Sequence, residues 1–279
     1  MILAMAGFAF EDLFIKLLST YFPISEVIII LGFTGTFIFF IIALLQNAPI
    51  IHKDLLNKHV IIRTTCELLG AVFFVTAIAL TPLSSATAIL QIAPLLVTIG
   101  AVIFFKEKVG WRRWTAVFIG FIGVLLIVRP GFEGFMPASI FAILGSVFLA
   151  ARDLATRAMQ VKLPSVTIAL YAFIAFGISG ILIIPFNSPM VLPTSNQIIY
   201  FIGASAFGVI AYYSLVISSR IGEMSVISPF RYSRIVFAML LAIIILDENP
   251  DGLTLIGASI VVASGLYTFV RETVLKKSQ

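Results

Sequence analysis

The chain has 279 residues, of which 61% are hydrophobic and 11% are charged. An average soluble domain has roughly 45–50% apolar and about 25% charged residues, so this composition excludes an ordinary soluble protein and indicates a polytopic membrane protein. The net charge of +5 does not predict a nucleic-acid partner, because the Lys and Arg residues are scattered over short segments between apolar runs. The lone cysteine, Cys66, excludes disulfides within the chain, and no metal site or cofactor is expected.

Ten apolar runs predict ten transmembrane helices, since a bilayer core of about 30 Å needs roughly 20 helical residues. The first run is predicted to be a retained helix rather than a signal peptide, because no basic region precedes it. The fold class is therefore an all-α membrane protein. The predicted spans are residues 1–18, 25–46, 61–80, 84–105, 112–128, 137–159, 164–184, 195–218, 224–246 and 253–270.

The positions of the basic residues predict the orientation in the bilayer. Most of the 18 Lys and Arg residues fall near the ends of the helices that face one side, and Arg63 and Arg152 are counted among them. Positive residues favour the cytoplasmic side of a membrane. We therefore predict a multi-pass protein of the bacterial inner (cytoplasmic) membrane, embedded in the lipid bilayer, with both termini in the cytoplasm.

Two charged stretches recur 141 positions later in the chain, which predicts a duplication. The matching pairs are Asp12 with Asp153, Lys16 with Arg157 and Glu107 with Glu248. The halves would be residues 1–130 and residues 131–279, with five helices each, and an odd number inverts the second half relative to the first. Inverted repeats around a central site are a recurring plan of secondary transporters. Chance similarity between charged helix ends is the alternative.

Four short stretches resemble the drug/metabolite transporter superfamily in its ten-helix EamA-type branch, and the likeness covers nearly the whole chain. Lys106 and Asp247 differ mildly from the family pattern, in which Gly is common at these places. The stretches are TPLSSATAILQIAP at residues 81–94, FFKE at 104–107, LDE at 246–248 and LIGA at 255–258.

This resemblance implies a bundle of two inverted halves, each similar to the EamA repeat, around a central cavity. The cavity would be lined mainly by helices 1, 3, 4, 6, 8 and 9, and it would carry small organic solutes. A weaker likeness rests on EDLFIK at residues 11–16 and SPFRYSR at residues 228–234, which resemble members that take up S-adenosylmethionine or riboflavin. Neither likeness assigns the substrate.

Charged residues within the first apolar run need a protein or water environment, since an ionisable group inside a bilayer costs at least a few kcal/mol. Asp12 and Lys16 are four residues apart and so lie on one face of the helix. They could join helix 1 to a neighbour as a structural ion pair, or they could contact the cavity. Because Asp153 and Arg157 match them in the second half, we favour structural ion pairs.

Glu11 is the more probable substrate ligand, because its match in the second half is Arg152 and not an acid. We expect Arg234 to lie opposite Glu11 across the cavity. Arg234 falls near the membrane midplane, where it needs an acidic partner or a substrate carboxylate or phosphate. Arg231 is a further candidate for substrate binding, but it lies closer to the cytoplasmic side and could instead extend to the interface.

Further candidates for substrate binding are Glu67, Gln91, Tyr212 and Tyr232. Glu67 lies within helix 3 and could bind a cationic ligand group, carry a proton or pair with a basic residue on another helix. Gln91 lies three residues before Pro94, which removes a backbone hydrogen bond and can bend helix 4. An interfacial belt of tyrosines is the alternative role for Tyr212.

Small residues on helices 5 and 10 predict close helix packing, either within the chain or in a homodimer. They are Gly120, Gly123, Gly257, Ser264 and Gly265. No catalytic residues are expected, because both histidines, His52 and His59, fall in one loop and no metal-binding HExxH motif is present.

The predicted function is secondary transport of a small zwitterionic or mixed-charge metabolite by alternating access, with S-adenosylmethionine-like, amino-acid-like and vitamin-like solutes as candidates. Acidic and basic residues within the membrane would form a bipolar site for such a solute. Proton coupling and facilitated diffusion stay open, as do import and export. The alternatives are a drug or amino-acid exporter of the same fold and a membrane scaffold or receptor that does not transport; an enzyme is disfavoured.

Overall fold

The computed structural model describes residues 1–106, 110–129, 135–159, 163–221 and 228–277, and this part of the chain contains helices and no strands. Three short 3-10 helices lie at Lys53–Leu56, Ile184–Phe186 and Ser228–Tyr232. The α-helices are α1 (Ile2–Leu18), α2 (Ile24–Leu45), α3 (Lys58–Leu80), α4 (Leu83–Leu90), α5 (Ala93–Phe105), α6 (Trp111–Val128), α7 (Ser139–Ala158), α8 (Ser165–Leu182), α9 (Ser195–Ile221), α10 (Ser233–Ile245) and α11 (Gly252–Lys277).

Six helical stretches of the described chain are long and apolar enough to cross a bilayer, which confirms the membrane class. They are Ile24–Leu45, Lys58–Leu80, Leu83–Phe105, Ser139–Ala158, Ser165–Leu182 and Ser195–Ser218. Large apolar side chains are exposed on the outside of the bundle, including Phe37 at 64%, Phe104 at 72% and Phe118 at 71%. An apolar outer surface of this kind suits contact with lipid.

The bend expected near Pro94 is present as a break in the helix. Residues 84–105 form two helices, α4 and α5, and Gln91 and Ile92 lie between them. Pro94 lies in the first turn of α5, where a proline is tolerated because the missing N–H would have no helical partner there. The last part of the predicted span 224–246 is likewise divided, into the 3-10 helix Ser228–Tyr232 and α10.

Helices from the first half of the chain pack mainly on helices from the second half. The extensive contacts are α3 with α7, α2 with α8, α1 with α9 and α6 with α11. In addition, α1 contacts α10, and α5 contacts α7. This arrangement leaves the middle of the bundle bordered by both halves.

Glycines permit very close contacts at two of these interfaces. A Cβ added to Gly32 of α2 would lie 2.3 Å from the backbone nitrogen of Gly177 in α8, so the two backbones touch here. A Cβ on Gly123 of α6 would lie 2.7 Å from the carbonyl oxygen of Gly257 in α11. The small residues predicted on helices 5 and 10 therefore do pack closely, and they do so within the chain.

Candidate functional site

A cavity of about 180 Å³ lies between the two halves of the bundle. Side chains of α1, α3, α7, α8, α9 and α10 line it, together with the residues around the break between α4 and α5. This set includes all the helices that the family resemblance implied. Seven charged residues line the cavity: Glu11, Asp12, Glu67, Arg152, Asp153, Arg231 and Arg234.

Asp12 and Arg234 form an ion pair that joins α1 to α10. The Nη2 atom of Arg234 lies 2.8 Å from Oδ1 and 2.7 Å from Oδ2 of Asp12, and Nε lies 3.0 Å from Oδ2. Asp12 is only 2% exposed. Arg234 and Glu11 both line the cavity, but the forked guanidinium binds the neighbouring carboxylate of Asp12.

Lys16 does not pair with Asp12, although the two are on one helix. Its Nζ donates to the carbonyl oxygens of Ala79 at 3.2 Å and Thr81 at 2.7 Å. These carbonyls belong to the end of α3, where helical carbonyls lack partners within the helix. Lys16 therefore binds a helix end and does not form the ion pair that its spacing from Asp12 suggested.

Glu67 of α3 contacts three side chains. Its Oε1 accepts a hydrogen bond from Arg152 Nη1 at 2.8 Å, and its Oε2 accepts from Arg63 Nη2 at 3.0 Å and from the hydroxyl of Tyr212 at 3.1 Å. The same hydroxyl accepts a hydrogen bond from Arg63 at 2.6 Å. Glu67 is 7% exposed, and it therefore holds two arginines and a tyrosine in a largely dry environment.

Asp153 of α7 lies between two arginines. Its Oδ1 accepts from Nη2 of the adjacent Arg152 at 2.8 Å, and its Oδ2 accepts from Arg231 Nη1 at 2.8 Å. The predicted pairing of Asp153 with Arg157 is not the one observed; the Arg157 guanidinium lies 5.2 Å from the centre of the Phe105 ring. Asp153, which the sequence assigned to a structural ion pair, thus borders the cavity.

Two arginines of this site were assigned to cytoplasmic helix ends from the sequence. Arg63 is 6% exposed within α3, and Arg152 lines the cavity from α7. The spacing of Arg63 and Glu67 as i and i+4 was a usable signal for their pairing. The Nε atom of Arg63 is buried without a hydrogen-bond partner in the described structure.

Of the two remaining candidates for substrate binding, Gln91 lines the cavity and Tyr232 does not. Gln91 lines the cavity at the break between α4 and α5, and its amide lies 3.3 Å from the Arg231 carbonyl and 3.4 Å from the Tyr232 carbonyl. Tyr232 itself does not line the cavity. A Cβ added to Gly265 of α11 would lie only 1.9 Å from the Tyr232 hydroxyl oxygen. The Tyr232 ring therefore packs directly against α11.

Glu11 lines the cavity from α1 and has no hydrogen bond or ion pair to any described residue. Its carboxylate lies against Gly208 of α9, because a Cβ on that glycine would be 2.4 Å from Glu11 Oε1. The three other carboxylates that line the cavity all bind arginine.

Glu248 binds the beginning of α4 at one end of the bundle, near the end of α3. Its carboxylate accepts hydrogen bonds from the backbone N–H of Leu83 at 2.6 Å and of Ser84 at 3.1 Å, and from the Ser84 hydroxyl at 2.6 Å. These groups form the first turn of α4, where a negative charge is favourable. The loop after α10 is thereby joined to α4. Glu107, its match in the first half, lies outside the described residues.

A similar contact joins the end of α6 to the beginning of α11. Arg129 donates to the carboxylate of Asp251, which also accepts from the backbone N–H of Thr254 at 3.0 Å. The hydrogen bond from Arg129 lowers the pKa of Asp251 to about 2, and bonding with Thr254 contributes. Asp251 thus caps α11 as an ionised group.

Comparisons with known proteins agree with this arrangement. The EamA-like transporter family matches residues 1–129 and 136–270. The chain is 27% identical to an S-adenosylmethionine uptake transporter of Rickettsia conorii over 214 residues, which cover 76% of this chain and 71% of that protein. It is 26% identical to a riboflavin transporter of Vibrio cholerae over 226 residues, covering 78% and 73%.

Two further comparisons cover most of the chain. An uncharacterized transporter of Helicobacter pylori is 27% identical over 274 residues, which cover 95% of this chain and 91% of that one. A solved crystal structure superposes with a TM-score of 0.64 at 19% identity and covers 94% of each chain. At that identity the superposition supports the fold alone.

Proposed function

Since the chain belongs to the EamA-like transporter family, we propose that it carries a small zwitterionic or mixed-charge metabolite across the bacterial cytoplasmic membrane by alternating access. The observation that carries this proposal is the charged cavity between the two halves. Two of its ion pairs, Asp12 with Arg234 and Glu67 with Arg152, connect residues of the first half with residues of the second. A movement of one half against the other would therefore change the charged surface that a solute meets.

The proposal includes an inverted repeat with a boundary near residue 130. It is supported by the pattern of contacts between helices. If the two halves are exchanged, the contact of α3 with α7 becomes that of α9 with α1, which is also observed. The contact of α5 with α7 likewise becomes that of α10 with α1, while α2 with α8 and α6 with α11 map onto themselves. The two segments that match the family, 1–129 and 136–270, have nearly the same boundary.

The solute would be small and polar. The cavity of about 180 Å³ is below the roughly 300–1,000 Å³ typical of sites for drug-sized ligands. An adenosyl or flavin compound of the kind moved by the relatives would therefore need a wider cavity than this conformation has, whereas an amino-acid-sized solute needs less expansion.

With both termini in the cytoplasm, the end closed by Glu248 and Lys16 would be the external one. Both contacts lie where α1 and α3 end and α4 begins. In this arrangement these contacts would hold the external end of the bundle together. Their release would open the cavity to the external side. The direction of net transport would follow from the gradients of the solute and of any coupled ion. Proton coupling is tested below with an imposed pH gradient.

The test is uptake into proteoliposomes that contain the purified protein. The solutes are S-adenosylmethionine, riboflavin, arginine, lysine, alanine and glycine betaine, each measured with and without an imposed pH gradient. We expect saturable uptake of at least one mixed-charge solute, abolished in Arg231→Ala and retained in Glu26→Gln. Glu26 is a suitable control because it binds the backbone N–H of Val191, outside the cavity.

Three results decide between the functions. Saturable uptake of a mixed-charge solute supports the transporter, and dependence on the imposed gradient supports proton coupling. Absence of uptake of every solute, both with and without the pH gradient, contradicts the proposal. Binding of a solute in a thermal-shift assay without any flux would instead favour a receptor or scaffold.

A further inference from the structure

Glu11 differs from the other carboxylates of the cavity in lacking a protein partner. Asp12, Glu67 and Asp153 each have an arginine nitrogen within 3.0 Å, whereas Glu11 has no hydrogen bond or ion pair to any residue in the described part of the chain. An unpaired carboxylate in a membrane interior is costly, and it is usually found where a ligand or ion compensates its charge.

The Glu11 carboxylate lies against a glycine of α9. A Cβ placed on Gly208 of α9 would come within 2.4 Å of Glu11 Oε1 and 2.8 Å of Cδ. Any side chain at residue 208 would therefore push the Glu11 carboxylate out of its position. The Glu11 carboxylate thus occupies the position that a side chain at residue 208 would take.

The sequence repeat explains why the partner is missing. At the offset of 141 positions, Glu11 matches Arg152 and Gly208 matches Glu67. In the second half's version of this contact, Arg152 of α7 binds Glu67 of α3 at 2.8 Å. In the first half's version, Glu11 of α1 lies against Gly208 of α9. One copy of the contact is a complete ion pair, and the other is a carboxylate that lies against a glycine, which has no side chain to neutralise it.

We propose that the Glu11 carboxylate, which lines the cavity without a protein partner in the described part of the chain, binds the cationic group of the transported solute: an ammonium, sulfonium or guanidinium group. This inference rests on the proposed transport function and adds to it the charge that the site selects. The cation would supply to Glu11 the positive charge that Arg152 supplies to Glu67 in the other copy of the contact.

The other charges of the cavity make a cation the better match than an anion at this position. Arg152, Arg231 and Arg234 are each bound by a built-in carboxylate at 2.8 Å or less. An anionic group would have to compete with these carboxylates for its arginine. A cation approaching Glu11 displaces no such partner, and its charge-assisted hydrogen bonds would be strong in this environment.

The experiment compares solutes of matched shape that differ in one positive charge, as competitors of uptake in the proteoliposome assay. The pairs are arginine with citrulline, lysine with norleucine, and S-adenosylmethionine with S-adenosylhomocysteine. In the wild type we expect the cationic member of at least one pair to compete at a concentration ten times lower or more. Glu11→Gln removes the charge and should reduce this preference to less than threefold.

Gly208→Ala is the second variant, because it displaces the carboxylate without removing it. The atoms nearest the added methyl group are the mobile end of Glu11, so the helix contact is preserved. We expect a weaker preference for the cation, between those of the wild type and Glu11→Gln. Glu26→Gln removes a carboxylate outside the cavity and should keep the full preference.

The outcomes separate this inference from the function itself. Transport with equal competition by charged and neutral members, or an unchanged preference in folded Glu11→Gln, overturns the cation site and leaves the transporter in place. Absence of transport of any solute by the wild type overturns both. If Glu11→Gln does not yield folded protein, an unaltered preference in Gly208→Ala overturns the inference.

Discussion

Arg234 binds both oxygens of Asp12 while its guanidinium lies between two aromatic rings. Its central carbon is 4.9 Å from the centre of the Phe8 ring and 5.2 Å from that of Phe74. The planar, delocalised cation satisfies the carboxylate along its edge and the rings on its faces. The compact ammonium of lysine lacks this planar fork, so it cannot reproduce the same combination of contacts.

Replacement of Arg234 by Lys should therefore act nearly like its removal. Arg234→Ala leaves the buried Asp12 without its partner, and we expect a loss of stability of about 3–5 kcal/mol. Arg234→Lys should recover only a minor part of this loss. The double variant Asp12→Ala/Arg234→Ala should be more stable than Arg234→Ala alone. Thermal unfolding in detergent tests all three, and a fully stable Arg234→Lys protein would contradict this account.

Glu67→Ala should destabilise the protein more than Tyr212→Phe. The first change leaves Arg63 without its carboxylate and takes Glu67 away from Arg152, so we expect a cost of about 3–5 kcal/mol. The second removes one hydroxyl that bonds charged groups, at about 1.5–3 kcal/mol. Denaturation followed by near-UV circular dichroism measures both variants, and equal losses would argue against Glu67 as the shared partner.

Glu248→Gln should loosen the end of the bundle at which α4 begins. A glutamine has one acceptor oxygen and a donor NH₂ in place of two acceptors, so it cannot receive the hydrogen bonds of Leu83 and Ser84 together. The measurement uses Val75→Cys, a cavity position, in a Cys66→Ser background. We expect faster labelling by a membrane-impermeant maleimide added at this end. An unchanged rate would show that other contacts keep the end closed.

Asp251→Asn should destabilise the protein at neutral pH and have no effect in strong acid. Because the folded-state pKa of about 2 is below the unfolded value of about 3.9, the charge stabilises the folded state above pH 4, and this contribution is lost as the pH falls through 2. The pair is partly exposed, so the effect at pH 7 should be under about 1 kcal/mol. Melting temperatures of wild type and variant between pH 7 and pH 2 should converge.

Gly32→Ala and Gly177→Ala should have unequal effects although the two glycines touch. The added methyl on Gly32 would meet backbone atoms of Gly177 at 2.3 Å and 2.4 Å, so the helices must separate, at a cost of about 1–3 kcal/mol. The methyl on Gly177 would meet the Phe33 ring at 3.3 Å, and this ring is 43% exposed and can move. Melting temperatures should fall for Gly32→Ala and change little for Gly177→Ala.

The sequence was informative about helices because the bilayer imposes their length and composition. All ten predicted runs contain helix, and Pro94 correctly predicted where one of them is interrupted. An apolar run or a helix-breaking proline affects only its neighbours along the chain. Such features can therefore be recognised without knowing how the helices are arranged.

The partners of the charged residues could not be predicted in the same way. Asp12 and Arg234 are 222 residues apart, and nothing in a single sequence gives the distance between two helices. Asp12 and Lys16 share a helix face, and this local spacing suggested a pair that the structure lacks. Arg63 and Glu67 are the opposite case, because their four-residue spacing did indicate the contact.

The glycine at residue 208 limits how far the two halves of the chain can be interchanged. In the proposed repeat, a protein built from two copies of the first half would set Glu11 against Glu67, two acids in one contact. One built from two copies of the second half would leave Arg152 facing Gly208, with no acid at all. Only the natural combination holds one neutral pair and one open carboxylate, so selectivity for charge would have arisen when the duplicated halves diverged.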